Sequence, residues 1–222
     1  MNTLKTTLLL LTPVFLSGCG VYKTHLPAAD YYYVNPNKNL STIGRVSLVE
    51  VDNNSSYPQI TADVTESLFQ ALQKKQIFGV TVVRQNEPAW RSLQLELDLG
   101  SQTRESTSVA PSTETLDRLS AMRKTLKCNA ALIGTITEYQ PYPHMVIGLR
   151  LKLLDLNDGQ LLWALEQVWD TADKTTEQRI SKYFSSQMRS GFAPLREQLV
   201  ATSPLKFFKF VAFEAAETLK PK

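Results

Sequence analysis

The chain has 222 residues, of which 43% are hydrophobic and 20% are charged, a composition typical of one globular domain with short appendages. Its formal net charge of +3 is small, and no block of lysine and arginine stands out. The charge therefore gives no reason to expect a nucleic-acid partner.

The first nineteen residues predict the compartment. Lys5 precedes an apolar run over 8–16 that is too short and too interrupted to span a membrane, which is typical of a signal peptide. The run ends in Leu-Ser-Gly-Cys at 16–19, which matches the bacterial lipobox, so we expect 1–18 to be a lipoprotein signal peptide. The thiol of Cys19 would then carry the lipid anchor. The alternative is an ordinary signal peptide followed by a chance cysteine.

Residues 19–41 are interpreted as the lipidated N-terminus and a tether, because they are punctuated by asparagine and proline and lack a period. Gly20 is not the aspartate that retains enteric lipoproteins at the inner membrane, so comparison with lipoproteins favours the outer membrane, facing the periplasm. Tyr31, Tyr32 and Tyr33 are unusual for a linker. They predict either a strand paired on the domain's edge or a patch for a partner.

The next part, 42–202, is interpreted as the folded domain. Its first half predicts strands over 45–51, 80–84 and 92–99. A capping box at Ser56 and Gln59 predicts a helix that ends at about Gly79, and a second helix starts near Ser112 or Thr113. After the strands described next, Asp173 is expected to cap a third helix that runs to about Arg189.

Residues 128–170 predict three consecutive strands joined by two short turns. The middle strand is apolar at every odd position from 145 to 153. A three-residue loop at 157–159 would place Leu153 opposite Trp163 and Arg150 opposite Glu166, which keeps one face apolar. This register requires Gly159 in the left-handed region, as in a bulged hairpin.

The same stretch carries a resemblance. The run NAALIGTIT at 129–137, followed by LDLNDGQLLW at 154–163, resembles the cell-envelope lipoproteins that include the curli-secretion channel, penicillin-binding-protein activators and the Pel-polysaccharide export lipoprotein. The resemblance implies an α/β (α+β) fold, with one mixed, largely antiparallel sheet and helices packed on it. This fold would be similar to anticodon-binding-domain and amino-terminal TolB folds, with a C-terminal helical extension.

That extension, 203–222, is predicted as an amphipathic helix opened by Ser203 and Pro204. Phe207, Phe210 and Phe213 widen its apolar stripe beyond one packing face, so we expect them to contact a partner, a neighbouring subunit or the folded-back tyrosines. An interfacial helix on lipid is the alternative.

No catalytic, cofactor or metal site is predicted. His25 and His144 have no cysteine or carboxylate at metal-ligand spacing. Asp155 and Asp158 are interpreted as turn and capping residues. Cys128 would have no intrachain disulfide partner once Cys19 is acylated, and it is predicted to be small and buried.

These observations indicate a binding protein and not an enzyme. The expected function is a lipid-anchored, periplasm-facing interaction module, a subunit or activator of an envelope assembly or export machine. Its partners are the membrane, through the lipid, and a protein or a second copy, with no small-molecule substrate or cofactor. The alternative is an outer-membrane secretion pore subunit like the curli channel.

Overall fold

The computed structural model describes residues 31–84, 87, 113–187 and 203–220. Within these ranges the chain forms one open mixed sheet with helices packed on it, as the predicted α/β class requires. The strands are β1 (Tyr32–Val34), β2 (Arg45–Val49), β3 (Asp52–Asn53), β4 (Gly79–Val83), β5 (Ala130–Gln140), β6 (Val146–Asp155) and β7 (Leu161–Asp170). The helices are α1 (Ile60–Lys75), α2 (Thr113–Leu126), α3 (Lys174–Gln187) and α4 (Pro204–Glu217), and a short 3₁₀ turn covers Leu40–Thr42.

The sheet has the strand order β1-β7-β6-β5-β2-β4, and β3 pairs with β5. Pairs on the β1 side are antiparallel, whereas β5, β2 and β4 are parallel to one another. Strands β4 and β5 lie on opposite sides of β2, so α1 and α2 connect the strands in opposite directions. Right-handed connections in opposite directions place their helices on opposite faces. The two apolar clusters of the described residues fit this arrangement, since α1 and α4 cover one face and α2 covers part of the other.

The predicted hairpin register is confirmed. Leu153 pairs with Trp163 and Leu151 with Leu165, and all four side chains are buried. Arg150 pairs with Glu166 on the other face, and their side chains form an ion pair. The alternating pattern of apolar residues favours this register, because a slip of one residue would move every apolar side chain to the opposite face of the sheet.

The turn of this hairpin also follows the prediction. Gly159 has φ +73°, in the left-handed region that glycine adopts without steric cost, and its N–H donates to the carbonyl of Asp155 at 2.9 Å. The register shifts by one residue beside Leu154, which is the expected bulge. The apolar face of the hairpin packs in the core with α1 and α4. This burial argues against the pore alternative through this hairpin, because a hairpin that crosses a membrane needs that face for lipid.

Several predicted boundaries are wrong. Helix α1 begins at Ile60 without a side-chain cap, so the predicted capping box at Ser56 and Gln59 does not form. The helix ends at Gln76, which adopts the left-handed conformation (φ 56°) that glycine usually takes, and Gly79 instead begins β4. Asp173 does cap α3, since its carboxylate accepts a hydrogen bond from the N–H of Thr176 at 2.9 Å. The predicted strand 92–99 lies outside the described residues.

Both ends of the predicted domain need correction. Residues 32–34 form β1 and Leu40 is buried, so the folded unit begins before the predicted boundary at 42. Helix α4, predicted as an extension, packs in the main core beside α1 and the sheet. Strand β1 pairs with β7, and α4 covers one face of the sheet. Both elements therefore belong to the domain.

The turn predicts a test of stability. Gly159→Ala should lower the free energy of unfolding by about 1 kcal/mol or more, because a side chain at positive φ is strained and the new Cβ would lie 3.0 Å from Leu119 Cδ1. Urea unfolding followed by circular dichroism would measure the loss. Gly79→Ala is the matched control: φ is not positive there and the Cβ would meet only an ordinary contact at 3.5 Å. Equal losses in the two variants would contradict the assigned turn.

Candidate interaction surfaces

The three phenylalanines of α4 do not form a common outer surface. Phe207 and Phe210 are each 0% exposed in the core, so the prediction that they contact a partner is wrong. They are buried because α4 has neighbours on several sides, the sheet, α1 and α3, and a helix surrounded in this way is apolar nearly all round. Phe213 is different, since it is only half-buried and reaches the surface.

The tyrosine segment forms an edge strand with exposed side chains. Tyr32 pairs with Leu165 and Tyr33 with Ala164, so β1 docks on the edge of β7, one of the two predicted alternatives. The rings stay largely accessible: Tyr31 is 76% exposed, Tyr33 46% and Tyr32 39%. Tyrosine offers a large amphipathic contact area at low entropic cost, so this tyrosine edge is a candidate interaction surface.

A lysine holds the segment after β1 against the hairpin turn. Lys38 Nζ lies 3.0 Å from Asp155 Oδ2 and 2.6 Å from Asp158 Oδ2, and these hydrogen bonds raise the lysine's pKa. Partial burial would raise the pKa of Asp158, but the hydrogen bonds from Lys38 and from the N–H of Gln160 lower it overall. The two aspartates therefore stabilise the turn, as predicted. They also form ion pairs with the ammonium group of Lys38, which the sequence did not reveal.

A cleft of about 250 Å³ opens between α1, α3 and α4. The small side chains of Ser67, Ala71 and Ala216 lie on its α1 and α4 walls. It also holds two aromatic rings, those of Tyr183 and Phe213, whose centroids are 4.7 Å apart. The charged and amide groups that complete the lining are Gln70, Lys74, Lys75, Lys209 and Glu217. We refer to this feature as the lysine cleft.

The aromatic floor of the lysine cleft is positioned by a buried ion pair. Arg179 Nε of α3 lies 3.2 Å from Glu214 Oε1 of α4, with side chains only 8% and 6% exposed. The second carboxylate oxygen, Oε2, accepts a hydrogen bond from Trp169 Nε1 at 2.8 Å. Tyr183 is one helical turn beyond Arg179, and Phe213 is adjacent to Glu214. The ion pair therefore brings the two rings together.

Burial raises the pKa values of Cys128, Tyr139 and Tyr183. Cys128 is 2% exposed, and burial raises the pKa of its thiol against weaker opposing hydrogen bonds from Ser47 and Ala130. It is the small buried residue that was predicted, and it remains a thiol near neutral pH. Burial also raises the pKa of Tyr183, so this phenol stays neutral in the lysine cleft.

The remaining predicted groups do not converge. His144 lies near Asp170, with 3.7 Å between Nε2 and Oδ1, at the far end of the hairpin from Asp155 and Asp158. Among the described residues, no three side chains of the metal-binding types gather at one point. None of the described helices has the length and apolarity to cross a membrane. Cys19 and His25 lie outside the described residues.

Neither the lysine cleft nor the contacts of Glu214 with Arg179 and Trp169 were predicted from the sequence. Some residues in the sequence do, however, indicate the contact between α4 and β7. Glu214 and Thr218 are polar residues one turn apart, in α4 and at its C-cap, and both are buried. Trp163 and Trp169 of β7 are buried, and each needs an acceptor for its indole N–H. Trp163 Nε1 donates to Thr218 Oγ1 at 3.0 Å, and Trp169 uses Glu214. Pairing these two polar residues with the two indole N–H donors of β7 would have placed α4 on β7.

The fold defines an α/β domain of the predicted class, with a mixed sheet and a short N-terminal edge strand. No protein-family model matches the sequence, and no curated protein matches it. Solved structures of similar fold include the PelC dodecamer from Paraburkholderia phytofirmans, at 11% identity over 86% of this chain and 98% of that one, with a TM-score of 0.46. Lipoprotein GNA1162 from Neisseria meningitidis has 14% identity over 67% and 99% of the two chains, with a TM-score of 0.39.

The LpoB C-terminal domain from Salmonella enterica is also similar, at 16% identity over 61% of this chain and 86% of that one, with a TM-score of 0.36. At these identities the similarity concerns the fold.

The buried ion pair gives a prediction. Glu214→Gln should lower the free energy of unfolding by about 3 kcal/mol or more, because a neutral amide removes the buried negative charge that lies 3.2 Å from Arg179 Nε. Glu217→Gln is the control on the same helix, since its side chain is 41% exposed in a surface pair with Lys75 and should cost less than about 1 kcal/mol. Thermal and urea unfolding would compare the two. Similar losses would show that the buried pair does not hold α3 on α4.

Proposed function

We propose that this chain is a lipid-anchored, periplasm-facing interaction module that serves as a subunit or activator of an envelope assembly or export machine. The observation that carries the proposal is the lipobox at 16–19, with its lipid acceptor Cys19, a short distance before a domain that presents accessible side chains. Two or three acyl chains on the mature N-terminus would hold the domain stably on the outer membrane.

The length of the tether limits where the domain can act. Twelve residue steps separate Cys19 from Tyr31, which at full extension reach roughly 40 Å. The chain then enters β1, which is paired with β7 at the edge of the sheet. The tyrosine edge is therefore the part of the described fold that the anchor ties to the membrane, and a partner would be met close to the membrane surface.

A binding role rather than a catalytic one is supported by what the ionisable groups already do. Asp155 and Asp158 accept hydrogen bonds from the turn backbone and from Lys38. Arg150 is paired with Glu166 across the hairpin. The raised pKa of Cys128 makes its buried thiol a poor nucleophile. These groups support the fold, whereas the tyrosine edge and the lysine cleft are accessible surfaces.

The anchor is tested by one substitution. Cys19→Ala removes the thiol that accepts the lipid, so palmitate labelling should be lost and the protein should leave the membrane fraction after a high-salt wash. Cys128→Ala is the matched control, because it changes the other cysteine of the chain and should keep both labelling and membrane association. A Cys19→Ala protein that still pelleted with outer membrane would refute the lipid anchor.

The interaction role is tested in intact cells. A photo-crosslinking residue at Tyr33, 46% exposed on the tyrosine edge, or at Lys74, on the lysine cleft, should form a discrete adduct with an assembly or export protein of the envelope. The same residue at Lys124, exposed on α2, is the control and should give no such adduct. Identical adducts at all three positions, or none, would contradict an interaction module that uses these surfaces.

A further inference from the structure

The outer edge of β1 carries backbone groups that a further strand can bind. Strand β1 ends the sheet on one side, and within the described ranges no strand pairs with its outer edge. Alternate residues of a strand direct their backbone groups to opposite sides. The C=O of Tyr31 accepts from β7 at 3.1 Å and the N–H of Asn35 donates to β7 at 2.8 Å. The N–H and C=O groups of Tyr32 and Val34 therefore point away from β7.

The sequence of β1 does little to prevent a further strand from pairing. Proteins protect an exposed edge with charged side chains, proline or a bulge, or by keeping the edge strand short. Strand β1 is short, at three residues, but it consists of two tyrosines and a valine, which favour strands. The nearest proline, Pro36, comes after the strand. This edge is therefore suited to β-strand addition.

A second copy of β1 fits the edge. A two-fold axis through Tyr33 sets this residue opposite Tyr33 of the second copy, in an antiparallel pair, and sets Tyr32 opposite Val34 of the second copy. The outward N–H and C=O groups of Tyr32 then bond to those of Val34, so that every outward group of the two residues is used. The aromatic pair and the pair of aromatic with β-branched side chains are both favourable across strands.

The neighbouring registers fit less well. An axis through Val34 would set Tyr32 opposite Pro36, which has no N–H to donate. An axis through Tyr32 would set Val34 opposite Asp30, a residue type that is depleted in strands. An axis between two residues would set outward backbone groups opposite inward ones. The axis through Tyr33 therefore gives the most complementary pairing.

The proposed membrane anchor favours a second copy as the occupant. One short strand from each copy makes an interface smaller than the roughly 1,200–2,000 Å² of stable complexes, so pairing would be weak in dilute solution. Anchoring two copies in one membrane raises their effective concentration. The two Tyr31 residues of the pair would lie about 13 Å apart along the strands. Each tether, from Cys19 to Tyr31, reaches roughly 40 Å, so both anchors can enter the same membrane.

We propose that two copies of this chain pair through the outer edges of their β1 strands, antiparallel and with a two-fold axis through Tyr33, so that their sheets become continuous. The inference rests on the proposed anchored interaction role, and it names a second copy as the partner of the tyrosine edge. The photo-adduct at Tyr33 then joins two copies of the chain.

Cysteine crosslinking of the full chain in isolated membranes tests the register. Tyr33→Cys, made together with Cys128→Ala, should give a disulfide-linked dimer on oxidation with copper phenanthroline. Opposite residues at this position have Cα atoms about 4.5 Å apart, within the roughly 4.4–6.8 Å that a disulfide spans. Tyr32→Cys is the matched control, with 39% exposure against 46% for Tyr33. It lies opposite Val34 and should give about ten-fold less dimer. Cys128→Ala alone measures the background from Cys19.

A second variant tests whether the contact is a strand pairing. Tyr32→Pro removes an outward N–H without removing a bond to β7, so it should reduce the Tyr33→Cys dimer about ten-fold. Circular dichroism checks that each variant is folded. The same crosslinking in non-ionic detergent, at rising protein concentration, should keep the preference for Tyr33→Cys. This measurement does not need the anchor, whose own failure is read from palmitate labelling of Cys19→Ala.

Four results would overturn the proposal. Equal dimer yields from Tyr33→Cys and Tyr32→Cys would indicate random collision. No dimer from folded Tyr33→Cys, in membranes or in concentrated detergent solution, would mean that the edges do not pair. A dimer undiminished by Tyr32→Pro would mean that the tyrosines meet without strand pairing. A disulfide adduct with a different protein in place of the dimer would assign the edge to another partner.

Discussion

The contact between β7 and α4 is the interaction on which the rest of the described structure depends. Trp163 and Trp169 are 1% and 0% exposed, and each buries an indole N–H that would be costly if left without an acceptor. Helix α4 supplies the acceptors, Thr218 and Glu214, at 3.0 and 2.8 Å. Two such bonds, one turn apart on the helix, fix both its position along the strand and its rotation about its own axis.

Once that rotation is set, the position of α3 follows. Glu214 is an almost fully buried carboxylate, and a single indole does not compensate a buried charge. Arg179 provides the counter-charge, which brings α3 against α4. Tyr183 then packs on Phe213, and the lysine cleft forms beside the two rings. The lysine cleft is thus a consequence of how the indole N–H groups of two buried tryptophans are hydrogen-bonded.

The hairpin could be predicted from the sequence because the relevant interactions are local. The apolar alternation of β6 and β7 allows one register, and Gly159 is the residue that tolerates the turn this register needs. The resemblance to envelope lipoproteins rested on the same stretch.

The role of α4 could not be predicted in the same way. Its excess phenylalanines are equally consistent with a helix that faces a partner and with one enclosed by its own domain, since both bury more than one stripe. The choice depends on contacts with α1, α3 and β7, which lie far away in sequence. The predicted start of α1 is wrong for the same reason. A capping pattern in the sequence shows that a cap can form locally, but contacts elsewhere in the fold decide whether it does. Tyr31 to Tyr33 lie in a segment whose composition is typical of a linker, and the distant strand β7 decides between the two predicted alternatives in favour of an edge strand.

The proposed lipid anchor and the lysine cleft involve different parts of the fold. The tether enters at β1, where pairing with β7 and the contacts of Lys38 with Asp155 and Asp158 hold it to the hairpin. The lysine cleft is built from three helices and uses none of these groups. A protein that bound to the lysine cleft would not have to displace β1. Tension on the tether would be borne by the β7 edge and by the Lys38 ion pairs, which are the first contacts in its path.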